Sequence, residues 1–213
     1  MPIHFEDDTI RIHKVVASPY DNNQYVVVCQ VTRASVIIDT PKHADKGLNE
    51  SAGTELVTAL ITHGHFDHIE GFKLFRSSSE APVGIHKNDA HQLASRPDFH
   101  LADGARIAFG KLALEVIHTP GHTPGGICLR IGKHLFSGDT LFPGGPGRTG
   151  SPKDFQEILA NIEHRLLRLP EETIVYPGHG EDTTIREALK EFSIFSSNPQ
   201  DPKLHGDVRW IPT

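Results

Sequence analysis

The stretch that most restricts what this chain can become is Thr62-His63-Gly64-His65-Phe66-Asp67-His68, which packs three imidazoles and a carboxylate into six consecutive positions. Neutral imidazole nitrogen and carboxylate oxygen are ligands that divalent cations such as zinc, iron or manganese accept. The apolar run Glu55-Leu56-Val57-Thr58-Ala59-Leu60-Ile61 precedes the cluster and reads as a buried strand. Ile69-Glu70-Gly71-Phe72-Lys73-Leu74-Phe75 follows it and reads as the start of a helix. The ligands therefore fall on a strand-to-helix loop at the carboxyl end of a strand, where open α/β sheets place their sites. With 15 histidines in the chain a chance pair would be unremarkable. The spacing His-x-His-x-Asp-His directly after an apolar strand is far more specific than a pair.

Composition narrows the function classes. A formal charge of −6 argues against a surface that tracks phosphates, because nucleic-acid binding needs a concentrated basic face. No apolar run approaches the roughly 20 residues that span a bilayer. The acidic start Met1-Pro2-Ile3-His4-Phe5-Glu6-Asp7-Asp8 lacks the basic and apolar regions of a signal peptide, so a cytoplasmic chain is expected. Cys29 and Cys128 lie in apolar strand-like runs and read as buried reduced thiols. The alternative for Cys128, six residues after His122, is an approach to the metal site.

The first half of the chain reads as strands and turns. Thr9 to Ala17 alternates apolar and polar residues like a half-buried strand, and Ser18 to Asn23 is a turn cluster. Tyr25 to Val31 and Ser35 to Asp39 form a strand pair about a turn at Thr32 to Ala34. His43 to Ala52 is a weak polar helix or a loop. Helices are expected over Gly71 to Ser78 and Asn88 to Ala94, with a short strand at Ala81 to Ile85 and a hairpin within Arg96 to Gly110. Strands follow at Lys111 to His118, Gly126 to Ile131 and Lys133 to Ser137. Leu141 to Gly150, rich in glycine and proline, is expected to be irregular. Ser151 then caps the one long helix, whose apolar positions Phe155, Ile158, Leu159, Ile162, Leu166 and Leu169 form one buried face. Thr173 to Tyr176 is a last strand, and Glu181 to Phe195 is largely helical. One domain over residues 1–195 is expected, followed by an irregular tail at 196–213. Trp210 docks that tail onto the body or onto a second subunit, which leaves a homodimer open. The pattern is α+β: two mixed sheets face to face with helices outside, a four-layer αβ/βα sandwich.

Three further polar residues share the setting of the cluster. His122 lies in Pro-Gly-His-Thr-Pro-Gly-Gly, Asp139 in Phe-Ser-Gly-Asp-Thr-Leu-Phe and His179 in Tyr-Pro-Gly-His-Gly, each after an apolar strand. Singly, each reads equally well as a solvated turn residue. Together with the cluster they make seven groups, enough for two cations, whereas a structural zinc site needs four ligands and leaves no open position.

In this order the motifs resemble the metallo-β-lactamase-fold hydrolases. Gly138-Asp139-Thr140-Leu141-Phe142 and Tyr176-Pro177-Gly178-His179-Gly180 are similar to the glyoxalase II-like (hydroxyacylglutathione hydrolase-like) branch. The resemblance covers about Thr9 to Phe195. It implies a first metal on His63, His65 and His122, a second on Asp67, His68 and His179, and Asp139 bridging them. Zinc is the first choice of metal, with iron or manganese as alternatives. It further implies that Asp39, at the end of an early strand, steadies a ligand histidine. The activity implied is thioester hydrolysis by a hydroxide shared between the ions, with Asp67 and Asp139 the catalytic carboxylates and a small-molecule thioester the substrate. Arg148 reads as a partner for a substrate carboxylate or as an exposed surface arginine, and Tyr25, Phe66 and Tyr176 read equally as cleft wall or as packing. Alternatives on the same fold are a mononuclear iron persulfide dioxygenase and a lactonase. A non-enzyme alternative is a metal-stabilised binding module.

Overall fold

The computed structural model describes residues 3–17 and 19–211. Seven strands form the first sheet in chain order: β1 Phe5–Glu6, β2 Ile10–Ala17, β3 Asn22–Cys29, β4 Ala34–Ile38, β5 Glu55–Ile61, β6 Val83–Ile85 and β7 Phe99–His100. The first four are joined by antiparallel pairings and the rest run parallel from β4 onward. The second sheet contains β8 Arg106–Phe109, β9 Leu112–His118, β10 Ile127–Ile131 and β11 His134–Gly138. A two-residue ribbon, β12 Leu141–Phe142 with β13 Gly145–Pro146, comes next, and the second sheet is completed by β14 Ile174–Pro177 and β15 Thr183–Thr184. The helices are α1 Asp45–Glu50, α2 Phe66–Ile69, α3 Phe72–Ser78, α4 Pro152–Asn161 and α5 Ile185–Ser196.

Strand alternation explains why there are four layers. Along β3, Tyr25, Val27 and Cys29 point into a core shared with Leu114, Leu129, Phe136 and Tyr176 of the second sheet. Val26 and Val28, of opposite parity, pack with Ile37, Ala59 and Ile61 against Phe72 and Phe75 of α3. In the second sheet Cys128, Leu135 and Val175 turn outward to Phe155 and Ile158 of α4 and Ile185 and Ala188 of α5. Both faces of the central strands are covered, so these strands read as continuous apolar runs rather than alternating ones. Ser151 caps α4 by accepting from the Asp154 amide, and Thr184 does the same for α5 with Glu187. Among the described residues no helix is long and apolar enough to cross a membrane.

Four local expectations change. Asn22 and Asn23 begin β3 instead of ending a turn, and Ser18 lies outside the described residues. Asn88 to Ala94 holds only a 3-10 turn at Ala90–Gln92. Residues 96–110 cross between sheets rather than forming their own hairpin: Phe99–His100 pairs parallel with β6, and Arg106–Phe109 pairs with β9. Leu141 to Gly150 is not wholly irregular, because Pro143-Gly144 turns the chain so that Leu141 and Phe142 face Pro146 and Gly145. The tail has an answer too. Trp210 is 3% exposed and packs on Phe192 and Phe195 of α5, within its own chain.

His134 gives the fold a pH dependence. It is buried on β11, 2.9 Å from the Tyr176 hydroxyl, and burial, helped by Lys133, pushes its pKa from 6.5 down to about 4. The unfolded chain binds this proton below pH 6.5 while the folded chain resists it until about 4, so stability is full above 6.5 and is lost across that window. The urea midpoint of metal-free protein is expected to fall between these pH values, and His134→Gln to make the fall shallower.

Candidate metal centre

The loop after β5 is fixed from the end of β4. Asp39 sits at φ 62°, in the left-handed region that aspartate tolerates better than most residues. Its carboxylate accepts from the Thr62 amide at 2.7 Å, the Thr62 hydroxyl at 2.8 Å and His68 Nδ1 at 2.9 Å. The short helix α2 is held to the same strand end, since Thr40 N donates to His68 O. His63, His65, Asp67 and His68 are thereby presented at the carboxyl edge of the first sheet. His122 comes from the loop between β9 and β10, Asp139 follows β11, and His179 follows β14. These are edges of the second sheet facing the same end of the sandwich.

All seven side chains converge. His63, His65 and His122 form one group whose ligand atoms lie within 4.8 Å of one another, and Asp67, His68 and His179 form another. Asp139 lies between them, Oδ1 at 3.3 Å from His68 Nε2 and Oδ2 at 3.4 Å from His122 Nε2 and 3.6 Å from His179 Nε2. Such an approach requires Gly178, because a Cβ there would stand 2.2 Å from Asp139 Oδ1.

The donor set fits divalent cations. His122 Nδ1 donates to Arg148 O at 2.7 Å and His179 Nδ1 to Tyr20 O at 2.9 Å. A carbonyl only accepts, so each Nε2 is left with a bare lone pair facing the cluster. Buried His63 Nε2, His122 Nε2 and Asp139 Oδ1 have no hydrogen-bond partner. Three orphaned polar atoms aimed into one space are what cation ligands look like before the cation is counted. In the cation-free chain protons take up the cluster's positive charge: burial would lower His68 and His179, but Asp139 and Asp39 beside the first and Asp67 beside the second hold both above the ordinary imidazole value. Burial alone would raise Asp139, but the charge of nearby His68 holds its carboxyl far below the usual range. Burial also works against Asp67, and hydrogen bonds from His179 and Asn22 with the charge of His68 outweigh it. Burial, then the nearby His68, pushes His63 well below its ordinary value, keeping it neutral as a ligand must be.

Two site residues were missed in the sequence. Asn22 Nδ2 donates to Asp67 Oδ2 at 2.9 Å, so the first residue of β3 orients a cluster carboxylate. Asp89 is 2% exposed and accepts from Gly64 N at 2.9 Å, Thr123 Oγ1 at 2.7 Å and Gly125 N at 2.7 Å. It ties the loop carrying His63 and His65 to the loop carrying His122. The signal for Asp89 was its place just beyond β6, on the same sheet edge as the cluster.

A cavity of about 520 Å³ opens over the cluster, its wall including His122, Asp139, Phe142, Arg148 and His179. Arg148 is thus part of the wall. Tyr25 and Tyr176 do not line this cleft. Both are buried in the core between the sheets, where Tyr25 donates to Pro177 O at 2.7 Å and so braces the His179 loop from below. Phe66 is 65% exposed and outside the cavity wall. Cys128 faces the helices, its thiol 3.4 Å from Thr119 Oγ1 and pushed up to about 11 by burial, away from the seven groups.

Comparison with known proteins bears on the same residues. The pattern of the Metallo-beta-lactamase superfamily matches residues 17–179. The chain is 33% identical over 174 residues to a probable metallo-hydrolase, YqgX, of Bacillus subtilis, covering 72% of this chain and 78% of that protein. It is 36% identical over 166 residues to a hydroxyacylglutathione hydrolase of Polaromonas sp., covering 75% of this chain and 62% of that protein. The crystal structure of ETHE1 from Myxococcus xanthus superposes with a TM-score of 0.73 at 30% identity, covering 83% of this chain and 80% of the other. The superfamily pattern begins before β3 and ends on His179, so that it takes in all seven converging side chains, and the chain belongs to the metallo-beta-lactamase superfamily.

Proposed function

We propose that the chain is a binuclear metal-dependent hydrolase of a small-molecule thioester. The observation that carries this reading is the place of Asp139 between two complete triads, with Oδ2 near His122 of the first and His179 of the second and Oδ1 beside His68. His63, His65 and His122 would hold one cation and Asp67, His68 and His179 the other. Such a pair supplies hydroxide at neutral pH and a Lewis acid for the carbonyl oxygen.

The chain's own residues do the rest. Asp67, held ionised by His179, His68 and Asn22 and oriented by Asn22, would keep a charged Oδ2 turned to the second cation. Asp39 holds the His68 ring so that Nε2 faces the cluster. The cavity is of a size that takes a small molecule rather than a polymer. A thiolate, whose acid has a pKa of about 8.5, leaves with little acid assistance, so the step does not depend on a dedicated general acid. Similarity to the hydroxyacylglutathione hydrolase supports this bond class.

The likeness to ETHE1, a persulfide dioxygenase in its mammalian relatives, favours a second reading with one iron. Elemental analysis beside a panel of thioesters, lactones and glutathione persulfide separates them. Two divalent ions per chain with thioester turnover is the expected result. One iron with oxygen uptake on the persulfide would replace it, and bound metal with no turnover would leave a binding module. His68→Ala is expected to keep a cation on the first triad while hydrolysis falls more than ~100-fold, since even an outer partner of a ligand is worth ~10–100-fold. Loss of both ions, or normal turnover, would contradict the division into two triads.

A further inference from the structure

The tail returns to the site. Thr149 and Gly206 exchange backbone hydrogen bonds at 3.2 and 3.1 Å, and Trp210 N donates to Gly144 O at 2.8 Å. Between these anchors Asp207, Val208 and Arg209 join the cavity wall, and Arg209 Nη1 lies against Gly144. We propose that segment 206–210 is a wall of the substrate cavity. In it Arg209, with Arg148, selects substrates that carry an oxyanion group, carboxylate or phosphate, remote from the bond that is cut. The inference deepens the thioesterase reading and rests on it for the identity of that bond.

Three observations support the assignment. Among the described residues neither guanidinium has a hydrogen-bond or ion-pair partner, although Glu181 and Asp207 line the same cavity. Both forks are therefore free to grip a planar oxyanion with two parallel bonds. The chain carries a net charge of −6, and an anionic substrate needs local cations to approach a floor that contains Asp139. The tail is also built in rather than draped. Gly145 has φ 149°, and a Cβ there would stand 2.9 Å from Val208 O, so this contact depends on glycine.

The test uses thioethers, which have no thioester to hydrolyse. N-Acetyl-S-methylglutathione and S-methyl-4′-phosphopantetheine are titrated into the metal-free full chain beside neutral counterparts, the diester of the first and S-methylpantetheine. At least one acidic compound is expected to bind about tenfold or more tighter than its neutral counterpart, as charge-assisted hydrogen bonds require. The pair that shows the preference tells carboxylate from phosphate. Arg209→Gln is expected to erase most of the preference and Arg209→Lys to restore part of it. Gly145→Ala should lose it as well, with a red shift in the emission of Trp210, the single tryptophan. Equal affinity for acidic and neutral compounds, absence of binding by all four, or an intact preference in Arg209→Gln would overturn the proposal. A preserved preference in a chain that hydrolyses no thioester would instead sink the reaction and leave the wall standing.

Discussion

Asp139→Ala is expected to leave the chain with neither cation and with hydrolysis below about 1% of the parent, a larger loss than the ~10–100-fold typical of a partner that only steadies a ligand. The reason is geometric. Among the described residues no other carboxylate reaches both triads: Asp67 contacts His68 and His179, and the Asp39 carboxylate contacts His68 and Thr62. Asp139 is also the charge against which His68, His122 and His179 are arranged, at 3.3 to 3.6 Å. Without it the first triad retains three neutral imidazoles and no compensating charge. Asp139→Asn separates shape from charge. It keeps the side-chain outline beside Gly178 but turns an amide N–H₂ toward one of the bare lone pairs, so metal is expected to return to at most one triad. Metal analysis of both variants after reconstitution, read beside turnover, decides the matter. Two retained ions and near-normal turnover in Asp139→Ala would exclude a bridge.

Which parts of this site could be read in the sequence follows from how each part is encoded. The early histidines are legible because their ligands are contiguous and follow an unbroken apolar strand, Glu55–Ile61, whose bounds the structure reproduces. His122, Asp139 and His179 are legible only together, since each is an ordinary turn residue until the two sheets bring their edges to one end. Asp39 carried its signal in its position, a carboxylate ending β4. The tyrosines, readable as cleft wall or as packing, proved to be packing, and parity could not have decided it. Tyr25 alternates in step with Val27 and Cys29, and alternation tells that a residue faces inward without telling whether the neighbour is a core or a cleft. Residues 96–110 failed because their turn signals were real but their strands belong to different sheets, a choice made by long-range packing. The destination of Trp210 depended on Phe192 and Phe195 and on the ribbon at Leu141–Pro146, none of which announces a partner in its own sequence.

Asp89 is the residue whose loss should matter most among those that touch no reacting atom. Its carboxylate satisfies two backbone amides and a hydroxyl, all buried, and water has little room to replace it. A buried donor left without a partner costs about 1–3 kcal/mol, so Asp89→Ala is expected to destabilise the metal-free chain by about 3 kcal/mol or more. For a chain of this size that lowers Tm by about 6–12 °C. The larger consequence is for the first triad. Gly64 lies between His63 and His65, and Thr123 follows His122, so Asp89 links the two loops through a side chain that belongs to neither. Its removal frees one loop to move against the other, and affinity at that triad should fall by ~10–100-fold. The second triad, built from Asp67, His68 and His179 and braced by Asp39 and Asn22, should keep most of its affinity. Asp89→Asn retains one acceptor oxygen but points an N–H₂ at a donor, so it should recover part of the stability and little of the first-triad affinity. Competitive metal titration distinguishes a positioning role from a merely structural one, because a general loss of fold would weaken both triads alike. A variant that melts lower yet holds both ions with parental affinity would show that the two loops find their places without this carboxylate.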